Sequence, residues 1–113
     1  MIILSRRSSE EDAKLFELID ILSISYREHK RMLDELDNGY RSMDYQREKN
    51  SRKVCYRFEG VIANMSQEIR LILEAEVLGN KKGTKWYREY YSVSQYYVKR
   101  KIAYRKFIEA INK

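Results

Sequence analysis

The stretch Ser92–Ile111 reads SVSQYYVKRKIAYRKFIEAI, and its pattern decides how the rest of the chain is read. Tyr96, Ala103, Phe107, Ala110 and Ile111 recur at helical intervals and share one face of an α-helix. Gln95, Lys99, Arg100, Lys101, Arg105 and Lys106 fall on the other faces. Ser92 or Ser94 supplies the cap that starts the helix. One face is thus built to pack, and the others carry mostly cations, whose simplest ligands are phosphates.

The residues before this helix extend the pattern. Thr84 is expected to cap a short helix holding Trp86, Tyr87, Tyr90 and Tyr91, with Trp86 and Tyr96 as core. Asn80–Gly83 reads as a basic loop. Before it, Ser66 caps a helix over Gln67–Leu78, with Ile69, Ile72, Leu73, Val77 and Leu78 inward and Gly79 as the stop. Helix, basic loop, short aromatic helix, tight turn and long basic helix form the outline of a helix-turn-helix whose last helix enters a DNA groove. Ser94, Gln95, Tyr97 and Val98 lie near the start of that helix and are expected at base edges, where Gln can bond adenine and an apolar group can meet a thymine methyl. Lys99, Arg100, Lys101, Arg105 and Lys106 are expected on phosphates. Thr84, Lys85, Ser92 and Ser94 complete the expected DNA contacts, the capping residues through backbone amides at helix starts.

The segment SQEIRLIL followed by KWYREYYSVSQYYVKRKIAYRKFIEAI, within Met65–Ile111, resembles region four of sigma factors. It looks most like the ArpU and RinA type regulators of Gram-positive phages and the small sigma-like factors of mollicutes. Ser66, Glu68, Arg70, Trp86, Ser92, Ser94, Tyr96, Tyr97, Ala103 and Phe107 carry the resemblance, over about 45 residues. It implies transcription activation through promoter DNA and RNA polymerase. Three features depart from the pattern: the short helix is aromatic where relatives more often carry a small-residue pair, the usual turn Gly is missing, and Lys99 stands where many relatives are apolar.

The N-terminal part differs in character. Ser8 with Glu11 forms a capping-box pair, and Leu15, Leu18, Ile19, Leu22, Tyr26, Met32, Leu33 and Leu36 follow at helical spacing until Asn38-Gly39 stops the helix. A helix of about 30 residues, roughly 45 Å, is long for so small a chain. It is expected to serve as an interface, in a homodimer or with polymerase. Tyr40–Asn50 reads as loop or a weak extension of the next helix. Ser51 is expected to cap that helix, with Val54, Cys55, Phe58, Val61 and Ile62 on its apolar face. Cys55 is expected in the core and His29 on the surface without a partner. The expected division is an N-terminal helical arm over 1–64 and a DNA-binding domain over 65–113, the whole being all-α with four to five helices.

Charge follows the same division. Residues 1–78 carry 13 basic and 15 acidic side chains, whereas 79–113 carry 10 basic and 2 acidic ones. The net charge of +6 therefore comes from the last third, which suits a polyanion. With 113 residues, no Pro, 4 Gly and 10 Tyr, the chain favours helices over hairpins. One Cys and one His argue against internal disulfides, metal sites and metal catalysis. No apolar run reaches a membrane span, and the short apolar start lacks the charge order of a signal peptide, so a cytoplasmic location is expected. No nucleophile–base pair is visible, and GNKKGTK at Gly79–Lys85 lacks the spacing and preceding strand of a phosphate loop. The expected protein is a DNA-binding transcription regulator without enzymatic activity or cofactor. The alternatives are an RNA or ribosome-associated protein and a helical interaction adaptor.

Overall fold

The computed structural model describes the backbone of residues 2–113 apart from Arg41, Met43, Lys81 and Lys82, and side chains from Glu10 onward. The expected basic loop thus lies partly outside the described residues. The fold is all-α: α1 (Ile2–Asp37), α2 (Tyr45–Ala63), α3 (Gln67–Glu76) and α4 (Val93–Ile111), with a one-turn 3-10 helix at Trp86–Glu89 before α4. No strand occurs among the described residues.

Helix α1 begins at Ile2 rather than at Ser8 or Ser9. No Pro or Gly interrupts the sequence before Gly39, so nothing breaks the helix at the serines, whose side chains lie outside the described set. Its 36 residues give about 54 Å, which matches the long axis of the molecule, 54 Å. The Asn38-Gly39 stop holds. Gly39 adopts φ +79°, and the amides of Gly39 and Tyr40 donate to the carbonyls of Leu36 at 3.1 Å and Glu35 at 2.8 Å, a pair of reverse bonds that needs a left-handed residue.

Helix α2 starts six residues before the expected Ser51. Asp44 is its cap and accepts the Arg47 amide at 2.9 Å. Ser51 lies inside the helix, buried, within 2.8 Å of His29 Nδ1. His29 is therefore half-buried with a partner, not a lone surface residue. The pair is invisible in sequence because it forms across the α1–α2 hairpin.

Helix α3 closes at Val77, and Gly79 at φ +79° turns the chain away. Ser66 occupies its cap position without a side-chain bond. Thr84 does not cap the aromatic segment: Lys85 holds that position, and the segment is one 3-10 turn. Between Ser92 and Ser94 the structure selects Ser92. Its hydroxyl accepts the Gln95 amide at 3.2 Å and its own amide donates to Gln95 Oε1 at 3.0 Å, a complete capping box.

A single core joins residues 1–64 and 65–113. Ile19, Tyr26 and Leu33 of α1, Phe58 and Ile62 of α2, Ile72 and Leu73 of α3, and Ala103 and Phe107 of α4 are all buried in it. Phe58 meets Phe107 edge-on at 5.4 Å and stacks with Tyr26 at 5.7 Å. From Glu10 onward, the apolar face of α1 packs largely against the chain's own helices. Among the described side chains of α1, a smaller patch of Leu18, Ile21 and Ile24 is left open. Buried Ser23 ties α1 to the end of α3 by donating to the Val77 carbonyl at 2.8 Å. Arg27 bonds the same hydroxyl and lies over Gly79, where an added Cβ would come within 3.0 Å of Arg27 Cδ. No described helix is long and apolar enough to cross a membrane.

Candidate nucleic-acid interface

The inner side of α4 is anchored by aromatic packing. Trp86 and Tyr87 of the 3-10 turn lie against Tyr96, Tyr87 in a parallel stack with centroids 4.0 Å apart. Trp86 Nε1 donates to Glu76 Oε1 at 2.9 Å, and Tyr104 donates to Glu76 Oε2 at 3.4 Å. Glu76 thereby links α3, the turn and α4. Burial, followed by the negative charge of Glu76, pushes the hydroxyls of Tyr96 and Tyr104 well above the usual phenol range. Tyr26 is raised likewise, by burial and then by its 2.6 Å bond to Glu59. The expectation that Trp86 and Tyr96 are packing residues holds: Tyr96 is buried, and Trp86 is half-buried against the core.

The expected phosphate contacts divide sharply. Lys99 reaches Glu68 of α3 at 3.1 Å. Its ammonium and the Tyr91 hydroxyl, in that order, hold the Glu68 carboxyl below its ordinary range. Lys101 and Arg105 both bind Asp12 of α1 at 3.1 Å, and that carboxylate is only 9% exposed. Arg100 points into rings, 4.7 Å above Phe16 and 5.6 Å from both Tyr96 and Tyr97. Its Nε is buried without an acceptor, so the ring faces are its main counterpart. Lys106 makes no ion pair among the described residues. The cationic helix read from sequence is therefore largely compensated by α1, α3 and its own aromatics.

The residues expected at base edges also divide. Gln95 is engaged at the helix start, so bidentate contact with adenine requires opening the capping box. Tyr97 leans toward α1, edge-on to Phe16 at 5.7 Å, with Lys101 Nζ 4.9 Å from its ring. Ser94 and Val98 face outward. Ile102, one turn beyond Val98, shares that outward face and is 42% exposed. Sequence reading passed over Ile102, although its i+4 spacing from Val98 was the available signal. Thr84 and Lys85 are exposed beside the aromatic turn, and Thr84 borders a small cavity of about 270 Å³ with Tyr87, Tyr96 and Arg100.

The segment expected to form the first helix of a helix-turn-helix does not form an α-helix. The aromatic segment before α4 is a single 3-10 turn, and Tyr90–Ser92 link it to α4. The support for α4 comes jointly from α1, α2, α3 and this turn.

A second cationic surface lies on α2. Lys49, Arg52, Lys53, Tyr56, Arg57 and Asn64 line a shallow hollow of about 730 Å³ along one stripe of the helix. The acids of residues 1–78 mask these cations in a net charge count. Among the described residues no group of three or more His, Cys, Asp or Glu side chains could hold a metal ion. No protein-family model, curated protein or solved structure matches the chain.

Proposed function

We propose that the protein is a DNA-binding transcription regulator that lays the outward face of α4 against duplex DNA. The observation that carries this reading is the combination on one helix of an anchored inner side and an open outer side, where Ser94, Val98 and Ile102 stand beside Lys106. Small apolar groups flanked by polar and cationic ones suit base edges and phosphates respectively. The first-turn amides of Val93 and Ser94 have no intrahelical carbonyl to bond and can meet a phosphate. The resemblance to sigma region four supports a role in transcription and RNA polymerase as a protein partner. Among the described residues, Leu18, Ile21 and Ile24 are the apolar patch of α1 that a homodimer would use.

The test is to select duplexes from a random pool and compare the selected duplex with a scrambled one. Val98→Ala and Ile102→Ala should each weaken only the selected duplex, by about 1 kcal/mol or more. Lys106→Ala should weaken both equally and lower the salt slope by about one unit. Absence of duplex binding at low salt overturns the reading.

A further inference from the structure

We propose that the outward face of α2 binds unpaired nucleic acid, independently of the duplex surface assigned to α4. The argument begins with spacing. Tyr45, Lys49, Lys53, Tyr56, Arg57 and Gly60 follow one another at intervals of one, three and four residues, which places them on one stripe of a helix. No carboxylate belongs to that stripe. The acids of α2, Glu48 and Glu59, lie to its side and are already engaged: Glu48 with Arg52 at 3.6 Å, Glu59 with Tyr26 and with Lys30 of α1. Lys49 and Lys53 make no ion pair among the described residues. Arg57 donates to the carbonyls of Ile111 and Lys113, which fixes its side chain against the end of α4. Among the described residues, Lys49 and Lys53 on this stripe have no counter-charge, and their complement is a polyanion.

The aromatics choose which polyanion. Tyr56 is 83% exposed and Tyr45 is 73% exposed, about 16 Å apart along the helix. A duplex covers the faces of its bases by stacking them on one another, whereas an unpaired strand offers each face to an aromatic ring. Gly60 lies one turn beyond Tyr56, and nothing stands within 4 Å of the place a Cβ would occupy. Bare backbone there leaves the hollow beside Tyr56 open. A row of phosphate-binding cations interleaved with exposed rings is how sequence-tolerant single-strand surfaces are built.

The experiment is fluorescence anisotropy with a labelled oligodeoxythymidylate and, in parallel, a hairpin duplex. The wild-type protein is expected to bind the single strand. Tyr56→Ala should weaken that binding about tenfold and leave duplex affinity unchanged. The double variant Lys49→Ala with Lys53→Ala should lower the single-strand salt slope by about 1.4. All three side chains are exposed, so matching melting curves by circular dichroism establish that the variants fold. No binding to the single strand, no effect of Tyr56→Ala, or an equal loss on the duplex would each overturn the proposal. Loss of duplex binding alone, through Val98→Ala and Ile102→Ala, speaks only to α4.

Discussion

Helix α4 and helix α2 both carry rows of cations, and they use them in opposite ways. On α4, Lys99, Lys101 and Arg105 close onto Glu68 and Asp12, and Arg100 onto aromatic rings. On α2, Lys49 and Lys53 face water beside exposed tyrosines. Each helix carries five basic side chains, and α4, with fewer acids of its own, is the one whose cations are more fully engaged. Formal charge belongs to the sequence, but the charge a ligand meets is set by which carboxylates the fold brings near.

This contrast can be broken most forcefully with alkali. Tyr26, Tyr96 and Tyr104 have hydroxyl pKa values raised in the folded state by burial first and then by Glu59 or Glu76. The stability they contribute is complete below the unfolded phenol value near 10 and is lost as pH rises above it. Circular dichroism should therefore show unfolding that begins above about pH 10. A smaller effect follows from removing the prop of α4. Trp86→Ala should destabilise by about 3 kcal/mol, while Tyr56→Ala on α2 should stay within about 0.5 kcal/mol; denaturant melts give both numbers.

Asp12→Asn tests the compensation itself. Losing a buried carboxylate costs stability, but Lys101 and Arg105 are 23% and 51% exposed and can rehydrate. The expected loss is about 2 kcal/mol. Two cations are released at the same time, so affinity for scrambled duplex at low salt should rise. Unchanged affinity would mean that these cations do not face the nucleic acid. The smallest effect is at Arg100: Arg100→Lys keeps the charge but loses the planar stack, at about 1 kcal/mol.

What could be read from the sequence divides along the same line between local and distant partners. Gly39 and Gly79 were legible, and the cap of α4 was narrowed to Ser92 or Ser94, because caps and stops are made within one turn of chain. Ile19, Leu33, Ile72 and Phe107 were legible through helical spacing. Ser51 was misread because a Ser inside a helix looks like a Ser that starts one until His29, 22 residues away, is placed beside it. The start of α1 was misread because a good cap signal does not end a helix when the residues before it are also helix formers. The pairing of Asp12 with Lys101 and Arg105 spans 89 and 93 residues and has no local signature. The α2 stripe was hidden by arithmetic, since Glu48 and Glu59, which cancel charge in the sum, engage Arg52, Tyr26 and Lys30 rather than Lys49 or Lys53.

Cys55 gives the fold a built-in clock. It is the chain's only thiol, it is 5% exposed, and burial followed by the charge of Glu59 raises its pKa. A thiol reagent reaches it only when α2 parts from the core. With a fast reagent the labelling rate equals the opening rate of the α1–α2 hairpin, and with a slow one it reports the equilibrium fraction open. The same residue therefore times the breathing of the scaffold in the unmodified protein, with and without nucleic acid bound to either helix.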